Sequence, residues 1–411
     1  MALTLRERLR WEPVTIEIPD FCLLAVLGPT QAEGAAFIGR HFAADHSVTA
    51  GSEGWQEAVG EGLAARKLTV VEAKAVLPHR PRDLLGLAKH NNAKAVAIFY
   101  VTDKSRSVPE IVRKLEMNGF RMVHLIADRD EPQLEIARIP LAVDRRVERG
   151  PFDIIGDVHG CADELEVLLG KLGYRVQLQG NGEQRHAEVA APAGRRAIFV
   201  GDFVDRGPRS PDVMRIVIAM HAAGIALSVP GNHDAKFLRW LQGHNVTLNH
   251  GLERTVEQFS SEGPQFRAAV RDFIAGLPSH MWLDDGRLVV AHAGIPEDMI
   301  GRDTRAVREF CLYGDTDGDK DEAGLALRYH WAARYHGAVS IVYGHTPVPE
   351  VDWFNNTLCV DTGCGFGGAL TALRWPEREI VSVPALQEYA KRGRPFGHPP
   401  LRPRESDAGT D

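Results

Sequence analysis

Short apolar runs alternate with amphipathic segments along the first 150 residues. Strands are predicted at 14–27, 68–72, 95–101 and 122–126, where aliphatic and β-branched residues cluster. Between them, apolar residues at helical spacing predict helices near 31–42, 53–66, 81–90 and 107–118. Strands separated by helices imply a parallel α/β layer. The charged stretch 128–150 (DRDEPQLEIARIPLAVDRRVERG), followed by Pro151, places a domain boundary near Gly150.

A second pattern fills residues 151–385. FDIIGDVHG leads into CADELEVLLGKLG, AIFVGDFVDRG into SPDVMRIVIAMH, and IALSVPGNHD into AKFLRWLQ. Each is an apolar strand ending in a Gly-Asp or Gly-Asn turn before a helix. Ligands collect at the carboxyl ends of such strands, so the three turns are expected to face one crevice. The later runs RLVVAH, AVSIVYGH, TLCVDTG, ALTALRW and EIVSVP predict strands of a second sheet. Residues 386–411 are Pro/Arg-rich, lack periodicity and are expected to be a disordered tail.

Hydrophobic residues at 44% and charged residues at 25% exclude a largely disordered chain. With 48 Lys and Arg against 55 Asp and Glu, the net charge of −7 argues against holding duplex nucleic acid on one broad basic face. Cys22, Cys161, Cys311, Cys359 and Cys364 form no CxxC pair and are odd in number, so reduced thiols and a cytoplasmic location are expected. The longest apolar run, Phe21 to Leu27, falls far short of the ~18 residues of a membrane helix. The start, MALTLRERLRW, lacks the apolar block of a signal peptide.

The chemistry gathers at the strand ends. Asp157 and His159 form D-x-H, Asp202 opens GDFVDRG, and Asn232 with His233 lie in GNHD. His292 ends the strand of VVAHAG and His345 that of VYGHTP. Carboxylate, amide oxygen and imidazole together suit manganese, iron or zinc. A lone histidine in an apolar strand is more often packed core than ligand, so His292 and His345 gain weight only by completing this set. His330 and His336 have no such support. Asp315, Asp317, Asp319 and Asp321 in YGDTDGDKDEAG lack the glycine and glutamate of a calcium loop, and read as a solvated acidic loop.

Taken in order, DVHG, GDFVDRG, GNHD, AHAG and YGHT resemble the binuclear metallophosphoesterases, in the branch of the serine/threonine phosphoprotein phosphatases and diadenosine-tetraphosphate hydrolases. The resemblance implies a β-sandwich flanked by helices, with Asp157, His159 and Asp202 on one metal. Asp202 would bridge to a second, also held by Asn232, His292 and His345. Two Mn²⁺ ions are the expected cofactors, with Fe, Ni, Co or Zn as alternatives. A hydroxide bridging the metals would attack phosphorus in line. His233 is then the candidate general acid, Asp205 its orienting carboxylate and Arg206 the phosphate-binding fork. Asp361, in VDTG, is a candidate partner behind a ligand histidine.

In the first 150 residues, VLGPTQAEGAAF sits where a phosphate-binding loop belongs. The nearest register puts Glu33 at the second glycine, Gly34 at the lysine and Ala35 at the hydroxyl, so phosphoryl transfer is not expected there. FIGRHF, KLTVVEAKAV, RGPFDIIGDVHGC, LYGDTDGDKDEAGLALRY and YGHTPVPEVDWFNNTLCVDTGCGFGGALTALRWPEREIVSVP resemble the bacterial polynucleotide kinase–phosphatases of RNA repair, over roughly residues 20–385. That family joins a P-loop kinase, this phosphatase and a ligase-like module, and the last has no counterpart here. Its catalytic aspartate falls near Gly51 in SVTAGSEGW, and the stretch from Tyr100 to Ser107 is short for an arginine-bearing lid. Residues 1–150 are therefore expected to be a degenerate P-loop kinase-like α/β domain. Such a pseudokinase would serve as packing support, a homodimer surface or a docking face for repair proteins.

The expected activity is metal-dependent hydrolysis of phosphomonoesters, with 2′,3′-cyclic or 3′-phosphate RNA ends or nucleotides as substrates. The same ligands serve a phosphoprotein or dinucleoside-tetraphosphate phosphatase, whose pocket walls would come from 242–262 and 312–336. A third reading, from another class, is a sensor binding nucleic-acid ends or nucleotides through the first domain. RVERG, ARKLTV and the tail arginines favour it, and the net charge opposes it.

Overall fold

A computed structural model describes residues 14–74, 77, 81–101, 112–113, 115–117, 119–120, 122–320, 327–393 and 395–399. The chain divides into two compact units, Met1–Leu141 with Arg302–Thr304, and Ala142–Gly301 with Arg305–Asp411. The division thus precedes the expected Gly150.

In the first unit the strands are β1 (Val14–Pro19), β2 (Leu23–Leu27), β3 (His46–Thr49), β4 (Thr69–Glu72), β5 (Ala95–Val101), β6 (Met122–Ala127) and β7 (Leu134–Ile139). Five form a parallel sheet in the order β3-β4-β2-β5-β6. The fully buried LLAVL of β2 lies at its centre, as a strand covered on both faces should. The single run expected at 14–27 is two strands. It breaks after Pro19, and β1 pairs in parallel with β7 instead. β3 (HSVT) carries one apolar residue in four, too few for the apolar pattern to predict it. Helices Gln31–His41, Trp55–Ala64 and Pro81–His90 match expectation within a residue or two. Thr30 caps the first, its hydroxyl accepting from the Glu33 amide at 3.2 Å. The hydroxyl also donates to the Glu33 carboxylate at 2.7 Å. The helix expected near 107–118 and the short lid segment lie largely outside the described residues.

The second unit holds β8 (Asp144–Arg145), β9 (Phe152–Ile155), β10 (Arg175–Gln179), β11 (His186–Ala190), β12 (Arg196–Phe199), β13 (Ala226–Ser228), β14 (His280–Leu283), β15 (Leu288–Ala291), β16 (Ser340–Tyr343), β17 (Trp353–Phe354), β18 (Thr357–Cys359), β19 (Asp361–Thr362), β20 (Ala369–Trp375) and β21 (Glu379–Pro384). One sheet runs β13-β12-β9-β20-β19 with β21 on β20, and the other β17-β18-β16-β15-β14-β8. The pairing of β8 with β14 explains why the unit begins before Gly150.

The strand period of two assigns the faces. Ile154 and Ile198 of one sheet meet Val290 and Val342 of the other in a shared core. Their neighbours Ile155 and Phe199 point the opposite way, onto Leu165 and Leu168 of helix Ala162–Leu172 and Val213 and Val217 of helix Ser210–Ala222. On the far side, Val289 and Ile341 pack with Val307 and Cys311 of helix Arg305–Tyr313. The result is a sandwich clothed by helices.

Two expectations are corrected. Of the runs assigned to a second sheet, β15, β16 and β18 belong there, whereas β19, β20 and β21 join the first. The chain changes sheets at Val360, and β20 then lies antiparallel to β9. The described residues between 386 and 399, in the segment expected as a free tail, are also held. Leu386 N and Tyr389 Oη donate to Glu164 Oε1 at 2.9 and 2.8 Å, and Gly397 N donates to Pro347 O at 2.8 Å. Tyr389 supplies apolar surface to the core that composition alone did not reveal. Residues 400–411 lie outside the described residues. Among the described residues no helix is long and apolar enough to cross a membrane.

Candidate metal and phosphate site

The strand ends converge on Asp202. Its Oδ2 lies 3.4 Å from His159 Nε2 and 3.5 Å from His292 Nε2. Donor atoms of His159, Asp202 and His233 lie within 4.8 Å of one another, and so do those of Asp202, His292 and His345. Asp202 is common to both clusters. Asp157 stands beside them, with Oδ2 accepting from His345 N at 3.0 Å and Oδ1 without a hydrogen-bond partner.

The turns that carry these side chains are strained. His159, Asp202, Asp205, Arg206 and His345 all adopt positive φ, at 47°, 51°, 75°, 68° and 70°. Non-glycine residues rarely do so, and such strain gathers at functional sites. Two glycines permit the approach. A Cβ at Gly231 would sit 1.9 Å from Asp202 Oδ1, and one at Gly344 2.0 Å from Asp157 Oδ1.

The hydrogen bonds fix which ring nitrogens carry the proton. His159 Nδ1 lies 2.9 Å from Val204 O, and His292 Nδ1 lies 3.1 Å from Val200 O. A carbonyl only accepts, so both Nδ1 atoms carry the proton and both Nε2 atoms a lone pair. Burial pushes His159, His292 and His345 below the usual imidazole range, which keeps them neutral. His292 Nε2 therefore presents a lone pair to Asn232 Oδ1 at 3.1 Å.

Charge points the same way. Burial, then Asp361 and Asp202, push Asp157 well above the usual carboxylate range. Burial also opposes ionisation of Asp202, but the neighbouring charges outweigh it, the permanently charged Arg206 guanidinium among them, and hold that carboxyl low. Acceptors facing acceptors beside buried carboxylates need a positive charge between them, and the donor set fits divalent cations.

Asp361 corrects an expectation. It does not stand behind His159 or His292, since main-chain carbonyls hold the Nδ1 atoms of those two rings. Instead its Oδ1 accepts from Gly363 N at 2.9 Å and its carboxyl pairs with Asp157; burial pushes it up to about 6.

The catalytic candidates are also assembled. His233 Nδ1 lies 2.6 Å from Asp205 Oδ2, and Asp205 Oδ1 accepts from Thr255 Oγ1 at 2.7 Å. Arg206 donates to Nε2 of both His159 and His233. Its guanidinium lies 4.4 Å from the centre of the Phe366 ring. Asp234 accepts from Phe203 N at 2.9 Å and Gly231 N at 2.8 Å, clamping the turns that carry Asp202 and Asn232 together. Thr255 and Phe366 had no local signal in the sequence. Asp234 did, as the last residue of GNHD.

Compared with known families, residues 150–370 match the family described as calcineurin-like phosphoesterase. The chain belongs to the calcineurin-like phosphoesterases. A bis(5′-nucleosyl)-tetraphosphatase [asymmetrical] of Anoxybacillus flavithermus is 46% identical over 250 residues, covering 60% of this chain and 99% of that protein. Its Bacillus subtilis counterpart of the same name is 44% identical over 242 residues, or 58% of this chain and 96% of that protein. A solved structure titled a putative diadenosine tetraphosphatase has 24% identity and a TM-score of 0.43, covering 60% of this chain and 99% of its own.

As a calcineurin-like phosphoesterase, the chain is a hydrolase of a family that uses divalent metals. Its cluster opens into a cavity of about 1110 Å³, walled in part by Arg254 and Tyr313 from the two segments expected to form the pocket. The acidic stretch after Tyr313 is only partly solvated. Asp315 is buried and ion-paired with Arg334, and Asp317 accepts from the Tyr329 hydroxyl. Asp321 lies outside the described residues.

Proposed function

We propose that the phosphoesterase unit hydrolyses dinucleoside polyphosphates. The observation that carries this reading is the cavity, whose volume of about 1110 Å³ exceeds what a simple phosphomonoester fills and whose lining cations outnumber its carboxylates. The names of relatives matched over nearly their whole length support it. Asp157, His159 and Asp202 would hold one divalent cation, and Asp202, Asn232, His292 and His345 a second. Such ions supply an acidified water and neutralise charge on phosphoryl oxygens. Manganese is the metal expected first.

The chain's own groups do the remaining work. Arg206, released from the imidazoles, offers its two-pronged donor to the phosphoryl group. His233 Nε2 delivers a proton to the leaving oxygen, while Asp205 holds Nδ1 and steadies the charged imidazole. The amino end of helix Asn232–Leu241 adds a favourable dipole for the anion.

The test is a comparison of kcat/KM, with Mn²⁺ present, on diadenosine tetraphosphate, a 3′-phosphorylated oligonucleotide and a phosphopeptide. The tetraphosphate is expected to lead by tenfold or more, and Asp157→Ala or His292→Ala to abolish turnover. A lead for the oligonucleotide would instead favour RNA-end repair. One observation supports that second reading: the first unit has a parallel five-stranded sheet with a helix following its central strand, as a degenerate kinase-like domain would.

A further inference from the structure

We propose that residues 389–393 and 395–397 form a strap bearing a second anion subsite, built on Lys391 and Arg392, for the phosphates of a polyphosphate chain farthest from the cleaved bond. The proposal rests on the dinucleoside-polyphosphate reading above. The strap is pinned at both ends. Tyr389 Oη donates to buried Glu164 Oε1 at 2.8 Å, Ala390 N to Gly365 O at 3.0 Å and Gly397 N to Pro347 O at 2.8 Å. A segment so anchored holds its exposed side chains in a defined place, which lowers the entropy lost when they bind a ligand.

A ladder of cations and rings joins the strap to the catalytic groups. Arg206, which touches His159 and His233, lies over the Phe366 ring at 4.4 Å. Phe366 meets Phe396 of the strap at 6.4 Å between centroids, inclined at 59°. Arg392 lies over Phe396 at 4.9 Å. Phe396 is seated on Gly363, where a Cβ would come within 2.3 Å of its ring. Each ring carries a guanidinium, so a row of positive charge runs outward from the cluster.

Charge makes the subsite selective. Lys391 and Arg392 are exposed, and among the described residues neither is paired with a carboxylate. Both line the cavity that Arg206 enters, whose other lining charges include the carboxylates Glu253 and Glu257. Without the strap the outer cavity loses two of its cations while keeping both carboxylates. A monoester presents all its charge at the cleaved phosphate and engages the inner end alone. A polyphosphate chain carries charge outward and meets Lys391 as a point charge and Arg392 as a fork.

The experiment measures kcat/KM for diadenosine tetraphosphate and for p-nitrophenyl phosphate in the full-length, Mn²⁺-loaded protein. Lys391→Ala, Arg392→Gln, their double variant and Phe396→Ala are compared with wild type. The ratio of the two values is expected to fall roughly tenfold for each charge removed and on the order of a hundredfold for the double variant, through KM rather than kcat. Phe396→Ala, which keeps both charges but unseats Arg392, should lower the ratio as well. The tetraphosphate KM of wild type should rise more steeply with salt than that of the double variant. A double variant whose ratio stays within twofold of wild type, or one that loses both substrates in parallel, overturns the subsite. A wild type with no preference for the tetraphosphate removes the substrate reading and the subsite with it, whereas a preference kept by the double variant removes only the subsite.

Discussion

Gly231→Ala isolates the role of Asp202. Gly231 has φ −92° and ψ 174°, which alanine adopts freely, so the substitution brings no backbone penalty. Its new methyl, however, would lie 1.9 Å from Asp202 Oδ1 and 2.4 Å from Asp202 N, where real Cβ contacts do not fall below 3.0 Å. The carboxylate must therefore retreat by about 1 Å, breaking its 3.0 Å bond from His233 N. Because Asp202 faces both histidine clusters, one displacement disturbs both. A misplacement of about 1 Å at a reacting centre costs on the order of a hundredfold in rate. Overpacking should lower stability by about 1–3 kcal/mol, leaving the unit folded. The assays are p-nitrophenyl phosphate turnover, bound-metal content and circular dichroism. A folded Gly231→Ala protein with wild-type metal content and kcat/KM within threefold of wild type would refute the reasoning.

Other consequences are equally direct. Asp205→Asn removes the charge behind His233 Nδ1 and should lower kcat on the order of a hundredfold for alkyl phosphates, and far less for p-nitrophenyl phosphate, whose leaving oxygen needs no proton; equal losses on both would remove the acid role. Burial, with Arg145 near, pushes His221 down to about 4 from 6.5, so between these values the unfolded chain binds a proton the folded chain refuses. Its contribution of about 3 kcal/mol is complete above pH 6.5 and lost as pH falls to 4. His221→Gln should flatten that acid limb of the urea midpoint, and an unchanged slope would contradict it. Gly170→Ala, in a helix with open space around the added methyl, should raise stability by about 0.5–1 kcal/mol, read as a higher melting temperature.

The site was the most legible part of the sequence because its chemistry is local. Every candidate ligand but His292 sits at the end of an apolar run beside a glycine, so DVHG, GDFVDRG and GNHD announce themselves without knowledge of the fold. Partners supplied from elsewhere left no such trace. Thr255 reaches Asp205 from a separate helix, and Asp361 meets Asp157 only because the chain changes sheets at Val360. That crossing also explains why β19, β20 and β21 were assigned to the wrong sheet: alternation fixes which way a side chain points, not which strand lies beside it. In the first unit, Pro19 was the missed signal, ending a run that otherwise read as one long strand. Residues 386–399 read as part of a tail because no helical or strand period runs through them, yet Tyr389 and Phe396 suffice to seat their described part.

The most direct test of a shared carboxylate at a two-cation centre is the number of divalent ions bound per chain, measured by mass spectrometry on protein purified without chelator. Wild type should carry two, Asn232→Ala should keep one, and Asp202→Ala should lose both. A wild type that saturates at a single ion, or a folded Asp202→Ala protein still holding two, would contradict it.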